Sequence, residues 1–146
     1  MTADHGPDEP AVLRRTPLLR IEALYLVSQT GLGLVVCTTA GTQSRTPGFH
    51  AVLPGELVIL TPVTTELECT LRGDRLLTYQ AESIDELTQT GWYATFTGPA
   101  RIVTGPLPRR HRTGLSHFEA GLGTRMLRLR LRDIEGYRLQ RRNAVP

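Results

Sequence analysis

The stretch Glu82-Ser83-Ile84-Asp85-Glu86-Leu87-Thr88-Gln89-Thr90-Gly91-Trp92-Tyr93-Ala94-Thr95-Phe96-Thr97-Gly98-Pro99-Ala100-Arg101-Ile102-Val103 decides the fold. It opens on an acidic turn in which Glu82, Asp85 and Glu86 read as surface. It then reaches Gly91-Trp92 and continues as two β-prone runs, 92–97 and 100–103, broken by Gly98-Pro99. Aromatic and β-branched residues suit a pleated, half-buried surface, and a Gly-Pro step punctuates the chain between two such runs.

The same texture extends upstream. Residues 33–39 have the pattern of a buried strand, and 49–53 and 57–60 flank Pro54-Gly55 as a hairpin. Residues 75–81 form a further strand, and 64–71 a helical turn or two. Downstream, Leu127, Leu129 and Leu131 alternate with Arg128, Arg130 and Arg132, a period-two strand with one apolar and one cationic face. Residues 105–120, with Pro106, Pro108 and the basic run Arg109-Arg110-His111-Arg112, read as a loop with room for a short helix. The one long helical pattern comes first. Thr16-Pro17 reads as an N-cap followed by proline at the first helical position. Leu18, Ile21, Leu24 and Val27 recur at spacing three, widened by Leu19 and Leu26, as far as Gly31. Six or so short strands behind one helix, with evenly spaced turns and no repeat, predict a small closed or split barrel.

Composition narrows the function. The chain has 146 residues, enough for one domain with a core, and 40% are hydrophobic but only 5% aromatic, so Leu, Val and Ile must build that core. The expected organisation is a flexible arm over 1–15, a single domain over 16–142 and a tail over 143–146. No apolar run reaches the roughly 20 residues of a membrane span, and residues 1–10 lack the basic start and apolar stretch of a signal peptide. A cytoplasmic protein with no membrane partner is expected. All 17 basic residues are arginine. Without a lysine amine there is neither a pyridoxal Schiff base nor a P-loop, and any phosphate must be held by arginine or by backbone N–H groups. Two cysteines, Cys37 and Cys69, make no disulfide framework, and Cys37, inside an apolar run, reads as a buried structural thiol.

The acidic turn, Gly91-Trp92 and the broken strand pair resemble the pyridoxamine 5′-phosphate oxidase-like family of FMN-binding split barrels, and the similarity runs from about Leu18 to Leu139. Asp133-Ile134-Glu135-Gly136-Tyr137-Arg138 is similar to that family's closing strand region. The resemblance implies a mainly β fold, a six-stranded antiparallel split barrel with a leading α-helix and short peripheral helices. It also implies a homodimer that holds FMN, or in some relatives a deazaflavin, at its interface. The flavin would perform oxidoreductase chemistry on a small molecule. The positions it offers for the cofactor are His50, Thr61, Thr64, Thr65, Trp92 and Arg101. Phe49-His50 falls where family strands line the ring side of the pocket, and Thr61 matches a family threonine. Thr64 and Thr65 carry hydroxyls for a phosphate or ring edge, Trp92 a ring for stacking, and Arg101 a cation. Three positions depart from the family pattern. Leu32 stands for an arginine, Glu66 for a lysine and Tyr93 for a serine. An anion in place of a cation turns attraction to a phosphate into repulsion, about 1 kcal/mol at 4 Å in bulk water and several-fold more at a protein surface.

Each of these positions also has a purely structural reading. Threonines around Pro62 make a turn, a strand-opening Trp anchors a core, and an edge-strand His is satisfied by its neighbours. No catalytic residue is identified, and His5, His50, His111 and His117 show no metal-ligand spacing. The arginine series Arg128, Arg130, Arg132, Arg138, Arg141 and Arg142 localises the pI of about 9.3. It lacks the interleaved aromatics and motifs of a nucleic-acid reader, so a solvated face that discourages edge pairing fits better. Two function classes stand: a flavin-dependent oxidoreductase, or a degenerate barrel without flavin that binds a ligand or partner. A basic nucleic-acid-associated protein is a weaker third.

Overall fold

The computed structural model describes residues 12–73, 75–103 and 123–142. In chain order these form β1 (Val12–Pro17), α1 (Arg20–Ser28), β2 (Leu32–Thr39), β3 (Thr42–Leu53), β4 (Glu56–Pro62), α2 (Thr65–Arg72), β5 (Leu77–Asp85), β6 (Thr90–Gly98), β7 (Ala100–Ile102), β8 (Thr124–Arg130) and β9 (Asp133–Arg142). All strand pairs are antiparallel. The expected hairpin 49–53/57–60 is β3–β4, and the expected strands 33–39, 75–81 and 92–97 correspond to β2, β5 and β6. The loop at 105–120, the first eleven residues, the C-terminal tail, His5, His111 and His117 lie outside the described residues.

Nine strand segments share one sheet, where six strands were expected, because two long strands bend and β1 adds an outer strand against β9. β6 runs on into β7 through Gly98-Pro99, and β8 into β9 through Leu131-Arg132. The two bent strands pair on both sides of the corner, 91–97 with 133–139 and 100–102 with 127–129. Thr97 faces Asp133 and Ala100 faces Leu129, so the β8–β9 side carries one extra residue at the corner. Arg130 N–H donates to Pro99 O at 2.9 Å and Arg132 N–H to Thr97 O at 3.0 Å across this bulge. Bulges of this kind bend a strand and sharpen its twist. Because β8 also pairs with β4, and β6 with β5, the ring β5, β6–β7, β8–β9, β4, β3, β2 closes through the β2–β5 pair. The result is a six-stranded split barrel. Gly98 is required at the corner, where a Cβ would lie 1.7 Å from Arg130 O.

The diagnostic stretch folds as the β5–β6 hairpin. Asp85 Oδ1 accepts from Leu87 N–H at 2.9 Å, and Gln89 N–H donates to Asp85 O at 2.8 Å, a side-chain-stabilised turn. Gly91 has φ +154, and a Cβ there would fall 2.1 Å from Ser83 O, so glycine is the residue that fits. Trp92, Ala94 and Phe96 then point inward. With Val35, Leu57, Ile59, Leu77, Leu127 and Leu129 they fill the barrel, and Ala23 and Val27 of α1 and Leu67 of α2 join the same core.

Two local expectations are corrected. Residues 12–15 are not an arm: β1 pairs with β9 from Val12↔Arg142 to Pro17↔Tyr137. Arg15 lies 4.1 Å over the Tyr137 ring and donates to Tyr93 Oη at 3.2 Å. Thr16-Pro17 therefore ends a strand instead of opening a helix, and Leu18 N–H still donates to Gly136 O at 2.8 Å. The helix starts at Arg20, where Glu22 Oε1 accepts from Leu19 N–H at 2.9 Å. Ladder hydrogen bonds to β9 outweigh the local capping signal. The stripe shifts accordingly, with Ala23 and Val27 buried and Ile21 74% exposed.

Candidate functional site

Strand alternation sorts the candidate residues. On β3 the inward side chain is His50, and its neighbour Phe49 faces outward. His50 is 2% exposed. Its Nδ1 lies 2.6 Å from Tyr79 Oη, and its Nε2 lies 2.9 Å from Val27 O and 3.4 Å from Thr30 Oγ1. Tyr79 Oη also lies 3.1 Å from Gly48 O. Burial lowers the His50 pKa and raises that of Tyr79, favouring the neutral form of both. The neutral imidazole donates from Nε2 to Val27 O, and the one Tyr79 hydroxyl proton lies between two acceptors, His50 Nδ1 and Gly48 O. Gly33 makes room for this pair, since a Cβ there would meet Tyr79 Cζ at 2.5 Å. His50 thus belongs to the barrel interior, and Phe49 is its outward-facing neighbour on this strand.

The other sequence candidates are dispersed. Thr61 is 1% exposed, and its hydroxyl donates to Pro47 O at 3.1 Å. Thr64 caps α2, its Oγ1 accepting from Leu67 N–H at 3.1 Å. Thr65 opens that helix and Glu66 follows in its first turn. Trp92 is a core residue, 6% exposed. Arg101 sits on β7, opposite Arg128 of β8. Of the six, Arg101 lines the groove on β4, β7 and β8, and none lines the groove on β2, β3 and β5. Cys37 is buried, with its thiol pKa raised by burial, and Cys69 is exposed. Among the described residues, no three His, Cys, Asp or Glu side chains gather to hold a metal, and no helix is long and apolar enough to cross a membrane.

What the fold does assemble lies on the outer surface of the barrel. Leu32 and Leu34 alternate with inward Gly33 and Val35 on β2. Leu34 faces Pro47 of β3 on one side and Gln80 of β5 on the other. Together with Glu82 these residues line an open groove of about 300 Å³ with an apolar floor. Leu32 is 56% exposed at its rim. On the adjoining β3–β4–β8 face, Val58 and Leu60 point outward between the inward Leu57, Ile59 and Thr61, and pack with Phe49, Ala51, Leu53, Met126 and Val103. A second groove, of about 520 Å³, lies on β4, β7 and β8 and is lined by Glu56, Arg101, Arg128 and Arg130. Sequence reasoning missed Tyr79 and the Gln80–Glu82 wall. The alternation Leu77, Tyr79, Ala81 inward against Gln80 and Glu82 outward was the available signal.

No family model matches the chain. The chain is 30% identical over 91 residues to the uncharacterized protein Rv0080 of Mycobacterium tuberculosis; the match covers 60% of this chain and 60% of that protein. The chain thus spans less than two-thirds of that relative's length. The fold is shared with an FAD-binding protein of Mesorhizobium loti at a TM-score of 0.66 and 14% identity, over 90% of this chain and 99% of that one. A candidate pyridoxamine 5′-phosphate oxidase of Corynebacterium glutamicum superposes at a TM-score of 0.62 and 18% identity, over 87% of this chain and 99% of that one. The split-barrel fold implied by the family resemblance is the fold observed.

Proposed function

We propose that the chain is a divergent flavin-binding split-barrel protein that works as a homodimer. The observation that carries the reading is the apolar groove over Leu32, Leu34 and Pro47, on a fold shared with an FAD-binding protein. Its volume lies at the lower end of ordinary ligand sites, enough for a flat ring laid against the sheet. Gln80 offers an amide donor and acceptor, a match for one carbonyl and the adjoining N3–H of a flavin's pyrimidine edge. The groove is open, and a second copy covering the exposed Leu32 would complete it. A bound flavin would supply hydride chemistry, while the chain binds and orients it.

These residues fit the ring and not the phosphate. Leu32 brings no charge to the groove and Glu82 brings a negative one, while Glu66 occupies the position where the family places a lysine. That observation favours the second reading, a barrel that has lost flavin and serves as a non-catalytic ligand- or partner-binding dimer. The test is the visible spectrum of freshly purified protein, followed by titration with FMN, FAD, riboflavin and a deazaflavin. Saturable micromolar uptake supports a cofactor site. A colourless protein that ignores all four refutes the flavin reading and leaves the second.

A further inference from the structure

We infer that the groove lined by Arg101, Arg128 and Arg130 is a binding site for the dianionic phosphate of a small phosphate monoester. It lies beyond the β3–β4 hairpin from the apolar groove, and the inference does not depend on a flavin.

Three guanidinium groups are brought together here by register. Arg101 on β7 is the direct cross-strand partner of Arg128 on β8. Arg130 lies two residues further along β8, and the inward Leu129 between them fixes both arginines on the outer face. Like charges directly opposed across a pair of strands destabilise it, so this arrangement is unfavourable without an anion. One anion is built in: Glu56 Oε2 accepts from Arg128 Nε at 2.7 Å, with both side chains about two-thirds withdrawn from solvent. Glu56 faces Arg130 in the β4–β8 register but is engaged by Arg128 instead. Among the described residues no carboxylate pairs with Arg101 or Arg130.

The groove therefore carries three cations and one anion, an excess of two positive charges in a concave site of about 520 Å³. That excess matches a phosphate monoester dianion and exceeds a lone carboxylate. Guanidinium forks bind phosphate oxygens bidentately. The corner at Gly98-Pro99 shapes the wall, because Pro99 O holds Arg130 N–H and ties β7 against β8. Arginines that only guard a sheet edge would project singly into solvent. Here they line a cavity, and one of them is held in place by an ion pair.

The test uses the full chain titrated with inorganic phosphate and with phenyl phosphate, followed by calorimetry and ³¹P NMR, with acetate and phenol as counterparts. Saturable binding of both phosphates, and no competition from acetate or phenol at equal concentration, is the expected result. Arg101→Ala and Arg130→Ala should each weaken phenyl phosphate binding at least about tenfold, in line with the loss of one charge-assisted hydrogen-bond pair. Arg20→Ala, which removes the same charge from the exposed start of α1, should leave it unchanged. Circular dichroism identifies any variant that fails to fold, and Arg101→Gln then replaces it. Failure to saturate, or an equal loss in Arg20→Ala, overturns the inference and reduces the arginines to a general basic surface. Preferential, steeply salt-dependent retention of DNA over phenyl phosphate would overturn it as well.

Discussion

Tyr79→Phe removes a single oxygen from the centre of the barrel and leaves the ring in place. The residue is 0% exposed, and its hydroxyl is 2.6 Å from His50 Nδ1 and 3.1 Å from Gly48 O. With the one imidazole proton directed from Nε2 to Val27 O at 2.9 Å, Nδ1 depends on the Tyr79 O–H for its donor. The substitution leaves that buried acceptor unmatched, an effect of about 1–3 kcal/mol, with a small cavity contribution. The expected loss is about 2 kcal/mol, or roughly 4–8 °C in Tm for a chain near 150 residues. Urea and thermal unfolding at pH 7.5 read the change directly. A double-mutant cycle with His50→Leu separates the pair from general packing, and a coupling of about 1–2 kcal/mol is expected. If Tyr79→Phe costs less than about 0.5 kcal/mol, or costs the same with and without His50, the polar pair does not stabilise the core as reasoned.

Acid should weaken the fold through the same histidine. Burial holds the folded pKa of His50 below its ordinary 6.5, so the unfolded chain binds a proton that the folded chain resists. Stability is then complete above pH 6.5 and falls as pH drops from there toward the folded pKa, by up to about 1.4 kcal/mol per unit; unfolding midpoints across this window should be flatter in His50→Leu. Gly98→Ala places a methyl against Arg130 O, a backbone atom that cannot swing aside. It should lose at least about 3 kcal/mol or fail to fold, and a soluble variant with unchanged Tm would contradict the corner geometry. With no cation among the residues named in the apolar groove, riboflavin and FMN should bind with similar Kd. A preference for FMN beyond about 100-fold, roughly 2.7 kcal/mol, would show that an arginine reaches the phosphate after all.

Much of the fold was legible from the residues alone, because period-two alternation and turn chemistry are local properties. Glu82 to Val103 shows its acidic turn, its two β-prone runs and its Gly98-Pro99 break without reference to anything distant, and the Leu/Arg alternation of 127–132 shows which face of β8 is inward. The helical turn or two expected at 64–71 was equally local and is α2. What depended on partners was not legible. Thr16-Pro17 carries a sound capping signal, yet β9 claims it for a strand through ladder hydrogen bonds that no local window contains.

The candidate site divides along the same line. Sequence could place Phe49-His50 on a strand near a ligand face, but only the closed barrel decides that His50 turns inward to Tyr79, 29 positions away in the chain. Arg101 was visible as an isolated cation. Its alignment with Arg128, and the capture of Arg128 by Glu56, 72 residues distant, arise from barrel closure. Local sequence determined where strands start, turn and bend, since those choices are made by each residue's own backbone and side chain. Tertiary structure alone determined which side chains meet, because register between distant strands is set by the packing of the whole core.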